Sequence, residues 1–364
     1  MNKSPHIYFI TDPLVTTAGS VRPSLLLTKK FSELGYDVTI VTTKTNKKLN
    51  NYMKTRGYEL VTIGPESSYI SSMPNLDAWL RHILVNNKCI KLTNPSFIVN
   101  TSSTSIHSAD VYYAQGIMMK EVKDMISSLP LHYKLGYNVS KTVLNYLERK
   151  TNKKYEQVSK YFIANSRFCS KMYEGWGIHV DDVINPPLNT DFFKPSTNNP
   201  KENYILTFFG TLGKESNYKL IRQIADKGIN IKVFGELPVD KTLLNQTQID
   251  FLGRVSDTEL VDLYSNALLT LFAFKHEPFG YIPVESMACG TPVLSYNKQG
   301  PSETIRDKDT GWLTDSDPEM LRLVDKIWNQ GIKQSMRYNC VKSMQKYSIE
   351  NITEKWKSYL DDQK

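Results

Sequence analysis

Two carboxylates, Glu277 and Glu285, stand eight positions apart in the run Glu277-Pro-Phe-Gly-Tyr-Ile-Pro-Val-Glu285, and Ser-Met-Ala-Cys-Gly-Thr-Pro-Val-Leu follows directly. An apolar, strand-like run from Ala267 to Phe274 precedes the first acid. A helix-like run from Val284 to Cys289 carries the second. Strand–loop–helix junctions bind phosphate groups in α/β proteins, because the first N–H groups of a helix have no intrahelical partner. Carboxylates accept hydroxyl hydrogens, up to about four per group. The segment therefore suits a ligand with both phosphates and hydroxyls, such as a nucleotide sugar. Gly280 lets the backbone approach such a ligand closely. Pro283 is expected at the first helical position, where a missing N–H costs nothing. On this reading the N–H groups of Phe279, Gly280, Tyr281 and Ile282 are candidates for gripping a diphosphate. An ordinary helix start with a turn glycine is the competing reading, and for the segment in isolation it is the better one.

The elements that must position these residues are legible as alternating runs. Ile7–Thr11, Val38–Thr43, Glu59–Ile63, Phe97–Asn100, Val111–Ala114 and Tyr161–Ala164 read as buried strands. Val21–Leu34, Leu76–Leu92 and Val139–Lys160 read as helices between them. After Pro186-Pro187 the pattern restarts with Ile205–Phe209, Ile231–Phe234, Ile249–Leu252, Leu268–Phe274 and Val293–Ser295. Alternation of this kind means parallel sheets covered by helices on both faces, with ligands at the carboxyl ends of the strands. Proline, asparagine and threonine cluster between Asn185 and Thr197 and mark a boundary. The expected division is an N-terminal Rossmann-like domain, 1–184, and a C-terminal one, 185–346, facing each other across a cleft. A helical tail, 347–364, is expected to pack back on the first domain.

Composition sets the outer bounds. The 364 residues are 40% hydrophobic and 23% charged, as in globular proteins. The net charge of +8 is uneven: residues 1–184 carry +9 and residues 185–364 carry −1. A basic first half suits an anionic partner, such as an anionic membrane surface; a lysine-rich solvated surface explains it equally well. Tyr112-Tyr113 and Met118-Met119 read first as core strand and helix, and second as a membrane-docking face. The four cysteines, Cys89, Cys169, Cys289 and Cys340, form no CxxC pair, which argues against a zinc site and fits a reducing cytoplasm. The first residues run straight into a strand without a leader-like apolar stretch, and no run is long enough to span a bilayer. A cytoplasmic protein, with or without membrane association, is expected.

From Asn203 to about Thr314 the chain resembles the retaining family 4 glycosyltransferases of the GT-B fold, also called glycosyl transferases group 1. The resemblance rests on Ile249-Asp-Phe-Leu-Gly-Arg-Val-Ser-Asp257, Leu260-Val-Asp-Leu-Tyr-Ser-Asn-Ala267, Glu277 to Glu285, Ala288-Cys-Gly-Thr-Pro-Val293, Gly300-Pro-Ser-Glu303 and Thr310-Gly311. Phe162-Ile-Ala-Asn-Ser166 and Val183 to Phe193 resemble the family's interdomain segment, with Asn189 where Asp is usual. The resemblance is strong over 160–315 and weak before it.

The resemblance implies transfer of a hexose from a UDP- or GDP-sugar to a glycan or lipid-linked acceptor, with no cofactor and no metal. It implies that Glu277 contacts the donor sugar near the reacting carbon and that Glu285 binds ribose hydroxyls. Gly253, Arg254 and Val255 join the donor site on the same grounds. The family's Arg after the first strand of this domain is replaced by Thr211, next to Gly210, and Ser216 stands where its Lys is expected. Either Lys214 takes over neutralisation of the diphosphate or that neutralisation is weaker; the first is favoured. In the N-terminal half, Gly19 and Ser20 occupy the place of the family's glycine-rich loop. Gln115-Gly116 occupies the place of its His-Gly, with His107 as an alternative contact to donor sugar or acceptor.

Asp307-Lys-Asp309 and Asp315-Ser-Asp317 match a metal-binding DxD pattern, but read better as turn and helix-cap residues. Three other functions remain in view. A phosphorylase or trehalose-type synthase of the same fold is one, although no lysine motif for pyridoxal phosphate is seen. A catalytically silent nucleotide-sugar-binding module is another. Nucleic-acid binding is the third, and the basic half lacks the interleaved aromatics it would need.

Overall fold

The computed structural model describes residues 4–17, 19–63, 92–126, 131–210, 214–237 and 247–362. The chain divides into two compact units. Unit 1 is Met1–Met119, Val139–Pro187 and Ile349–Lys364; unit 2 is Lys120–Asn138 and Leu188–Ser348. The chain therefore crosses between units more often than the single proline-rich boundary at 185 suggests. The helix expected over Leu76–Leu92 lies, but for Leu92, outside the described residues.

Unit 1 is built on a seven-stranded sheet. Its strands are β1 (His6–Thr11), β2 (Asp37–Thr42), β3 (Glu59–Thr62), β4 (Phe97–Asn100), β5 (Ala109–Ala114), β6 (Ser159–Ala164) and β7 (Asp182–Val183). They lie in the order β3-β2-β1-β4-β5-β6-β7, and each pairing is parallel. Successive residues of β1 point to opposite faces. Ile7 and Phe9 join one apolar cluster with Phe97, Val99, Val111 and Tyr113, while Tyr8 and Ile10 join another. Both faces are covered, so the strands read as continuous apolar runs.

Helices α1 (Arg22–Glu33), α2 (Lys47–Thr55), α3 (Met118–Met125), α4 (Leu131–Val158) and α5 (Arg167–Glu174) follow in chain order. Glu148, 1% exposed, accepts the first N–H groups of α3, from Met118 at 2.7 Å and Met119 at 2.9 Å. That satisfies donors which a buried helix start would otherwise leave unpaired. Tyr112, Tyr113 and Met119 are all buried, so the docking face suggested around them is core.

Unit 2 is built on a six-stranded sheet in the order β10-β9-β8-β11-β12-β13. Its strands are β8 (Ile205–Phe209), β9 (Ile231–Gly235), β10 (Ile249–Gly253), β11 (Leu269–Phe272), β12 (Val293–Tyr296) and β13 (Gly311–Thr314), again all parallel. Leu206 and Phe272 belong to one core cluster, and their neighbours Ile205 and Leu271 to the other. The helices are α6 (Lys214–Ala225), α7 (Asp257–Asn266), α8 (Tyr281–Ala288), α9 (Pro301–Thr304), α10 (Asp317–Gln330) and α11 (Gln334–Met344). Ser256 and Glu259 close a reciprocal capping box at the start of α7.

The C-terminal helix α12 (Ile349–Asp361) belongs to unit 1. Ile352, Trp356 and Leu360, spaced for one helical face, enter the cluster around Phe9 and Phe31. Trp356 meets the Tyr113 ring edge-on at 5.2 Å.

Candidate active site

Strand order reverses direction at one place in each sheet, and there the two diverging loops open a crevice at the carboxyl ends. In unit 2 that place lies between β8 and β11. Gly210 directly follows β8, and the loop 273–280 leaves β11. A Cβ on Gly210 would lie 3.7 Å from the Phe274 ring, so the two loops meet. Thr211 lies outside the described residues. Lys214 opens α6, and its side chain is outside the description.

Glu277 occupies this crevice in a half-buried position. Burial, joined by the Glu121 carboxylate on α3, pushes its carboxyl up from the usual value of 4.5 to about 7. Hydrogen bonds from the backbone N–H groups of Phe279 and Gly280, and the neighbouring His276, act in the opposite direction. His276 is itself buried, with Nδ1 2.9 Å from Oδ2 of Asp124, one turn beyond Glu121 on α3. Two acids of α3 thus bear on the His276-Glu277 pair, and both lie in the part of the chain grouped with unit 2.

The loop is shaped by two glycines. Gly280 adopts φ +91° as the residue before α8, a region that favours glycine. At Gly300 a Cβ would sit 2.3 Å from the Pro278 carbonyl oxygen and 2.5 Å from Phe279 Cα. Only a residue without a side chain permits that approach, and the Gly300 N–H uses it to reach the Glu277 carbonyl at 3.0 Å.

The helix starts at Tyr281, two residues before the expected Pro283. Proline fits at the third position for the reason that applies at the first: no N–H in the opening turn has an intrahelical acceptor. The four expected diphosphate amides also divide. Those of Phe279 and Gly280 hold Glu277, and those of Tyr281 and Ile282 belong to the helix end.

Glu285 lies one turn further on, 3% exposed, and takes the Tyr264 hydroxyl at 3.3 Å. The Ala288-Cys-Gly-Thr-Pro-Val293 string has a structural task. Thr291 Oγ1 donates to the Tyr264 carbonyl at 2.5 Å, and Ser286 Oγ joins β11 through Thr270 at 2.7 Å. Arg337, 6% exposed on α11, completes the frame. Its guanidinium reaches Glu202 at 2.8 Å and the carbonyls of Ala267 at 2.6 Å and Gly290 at 3.1 Å. It also reaches the Thr291 hydroxyl at 2.9 Å. This buried charge is satisfied on every side it presents, and it fixes the far end of α8. Nothing in the sequence signals Arg337, because its partners come from three distant segments.

Gly253 ends β10, and Arg254 and Val255 follow it at the same edge of the sheet. Arg254 is exposed and shares its charge with Glu236, Nε to Oε1 being 3.0 Å. The DxD-like pairs are engaged elsewhere. Asp307 accepts the Leu313 N–H, Asp309 pairs with Arg306 at 2.8 Å, and Asp317 is the first residue of α10.

In unit 1 the reversal falls between β1 and β4. Asp12, directly after β1, was not singled out from the sequence, yet it organises this end. Its Oδ1 accepts from Ser102 Oγ, Ser103 N–H, Ser103 Oγ and Thr104 Oγ1 at 2.9–3.4 Å. Its Oδ2 accepts from Ser20 Oγ at 3.1 Å. Gln115, at the end of β5, donates to the carbonyls of Ser20 at 2.9 Å and Thr101 at 3.3 Å. Gly19, Ser20 and Gln115 are thereby gathered at one site. His107 is not: it precedes β5, so the length of that strand separates it from Gln115. Parallel connections return the chain to the amino edge of the sheet, and ligand sites lie at the other edge.

This is the GT-B architecture of two parallel α/β units. The Anabaena Alr3699/HepE structure in complex with UDP and glucose superposes with a TM-score of 0.69, over 98% of this chain and 99% of that one, at 14% identity. WaaG, a glycosyltransferase involved in lipopolysaccharide biosynthesis, superposes with a TM-score of 0.64 at 14% identity, over 97% and 99% of the two chains. Residues 189–347 match the glycosyl transferases group 1 family.

Among curated relatives, the alpha-1,3/1,6-mannosyltransferase ALG2 of Rhizomucor pusillus is 36% identical over 94 residues, 25% of this chain and 19% of that protein. The capsular polysaccharide biosynthesis glycosyltransferase CapM of Staphylococcus aureus is 23% identical over 175 residues, 43% of this chain and 46% of that protein. The chain thus spans less than half the length of either.

Proposed function

We propose that this chain is a retaining hexosyltransferase that uses a UDP- or GDP-sugar as donor and a glycan or lipid-linked molecule as acceptor, without a divalent metal. The observation that carries this reading is the Glu277 loop. It lies at the reversal point of unit 2, beside the start of α8, inside the segment that matches group 1. The helix start and the residues around Gly210, Lys214 and Arg254 take the diphosphate. Glu285 takes the ribose and Glu277 the sugar. In the reaction the acceptor oxygen bonds to the anomeric carbon as the bond from that carbon to the diphosphate oxygen breaks. The acceptor's proton passes to the departing diphosphate, so no enzymic base is needed. Gln115 in place of a histidine is then a determinant of sugar choice.

The relatives support the class: ALG2 is an alpha-1,3/1,6-mannosyltransferase, CapM is a capsular polysaccharide biosynthesis glycosyltransferase, and Alr3699/HepE is seen in complex with UDP and glucose. The charge of residues 1–184 supports a second part of the reading, peripheral contact with an anionic membrane surface. Among the described residues no helix is long and apolar enough to cross a membrane.

A panel of nucleoside diphosphate sugars, assayed with chelator present for thermal shift and for release of the nucleoside diphosphate, tests the donor. One donor is expected to stabilise the protein and be turned over, with the anomeric configuration retained in the product. Stabilisation without turnover in the presence of acceptors would favour the silent binding module. Turnover restored only by Mg²⁺ or Mn²⁺ would contradict metal independence.

A further inference from the structure

We infer that the outward face of α4 is the surface by which the protein lies on an anionic lipid bilayer. Five of the twelve exposed large apolar residues among those described fall on this one helix. They are Leu131 (69% exposed), Leu135 (59%), Val139 (87%), Val143 (59%) and Tyr146 (63%). At 3.6 residues per turn they share an arc of about 120°. The helix is held from the opposite side, where Glu148, Asn152 and Tyr155 are buried. The apolar stripe is therefore what α4 turns outward. Isolated exposed apolar side chains are ordinary on a protein surface, but a continuous stripe four turns long is not.

Charge selects the occupant. The same side of the helix continues into Arg149, Lys150, Lys153 and Lys154, with Lys150 and Lys154 exposed. The helix has two acids, and both are engaged within the protein. Glu148 caps α3, and Glu156 takes the His179 N–H at 2.7 Å and pairs with Lys153 at 3.2 Å. No carboxylate on α4 is left to repel an anionic surface. An apolar stripe followed by cations is the pattern of a helix lying in the lipid interface, apolar side down and basic side among the headgroups. This rests on the membrane part of the proposed function and is independent of the glycosyl-transfer part.

The test is co-sedimentation of the full chain with vesicles of equimolar phosphatidylcholine and phosphatidylglycerol, and with phosphatidylcholine alone. Wild type is expected to pellet with the anionic vesicles only, and less so at high salt. The double variant Val139→Glu/Val143→Glu changes only exposed positions, so its melting temperature should match wild type. It is expected to lose at least about tenfold in partitioning. Lys150→Glu/Lys154→Glu should weaken binding in the same direction. Failure of wild type to pellet would overturn both the membrane reading and this surface. Undiminished binding by the Val139→Glu/Val143→Glu protein would overturn the surface alone. A wild-type dimer in gel filtration that becomes a monomer in that variant would assign the stripe to a second copy of the chain instead.

Discussion

Each unit places one carboxylate at the reversal point of its sheet, and the two acids are treated in opposite ways. Asp12 in unit 1 is saturated, with five hydrogen bonds from three serines and a threonine. Glu277 in unit 2 is half-buried beside another acid, and burial together with Glu121 pushes its carboxyl up to about 7. Asp12, surrounded by donors, ties the segment after β1 to Ser20 and to the turn after β4. Burial and Glu121 instead drive Glu277 towards neutrality, a perturbation common at groups that meet a ligand. The contrast sets an acid engaged in holding loops together against the acid proposed to meet the donor sugar.

Removing a saturated charge should be costly in whichever unit it lies. Arg337→Ala is expected to lower stability by about 3–5 kcal/mol, because Glu202 and three oxygens behind α8 lose their partner. Urea unfolding measures it, and a loss under about 1 kcal/mol would show that this frame is dispensable. Asp12→Ala should cost less, about 2–3 kcal/mol, since Ser20 is exposed and the buried Ser102 and Thr104 hydroxyls still hydrogen-bond each other at 3.1 Å. It should also raise the donor KM more than it lowers kcat, because Ser20 loses its anchor.

Glu277 should behave in the opposite sense. Its folded value of about 7 exceeds the ordinary 4.5. Between these values the folded chain keeps a proton that the unfolded chain releases, so this group makes stability fall as pH rises from 4.5 to about 7 and then level off. Glu277→Gln should flatten that part of the curve and leave the protein no less stable at pH 8. An unchanged pH curve in the variant would show that the carboxyl is not held near neutrality.

The architecture was open to sequence reading because parallel strands buried on both faces leave apolar runs that survive without any tertiary knowledge. β1, β4, β8 and β12 fall where those runs were seen. β7 and β13 were missed for the same physical reason. β7 has two residues at a sheet edge, and β13 contributes only the half-buried Trp312 and Leu313 to the apolar signal. Residues 120–138 gave no sign that they group with unit 2, since a helix pattern does not say which core it joins. Glu277 and Glu285 were legible because their junction is local. Asp12, Arg337 and the Asp124–His276 contact were not, because each depends on partners brought from distant parts of the chain. The start of α8 was misplaced for a subtler reason: proline is acceptable throughout the opening turn, so Pro283 could mark the turn but not its first residue.

The central claim is that the Glu277 loop is where a sugar is transferred. The most direct measurement compares wild type and Glu277→Gln for nucleoside diphosphate release from the preferred donor, with donor affinity determined alongside. The account predicts turnover lower by about 10²–10³-fold in the variant, with its fold intact and donor still bound. Turnover equal to wild type would contradict it.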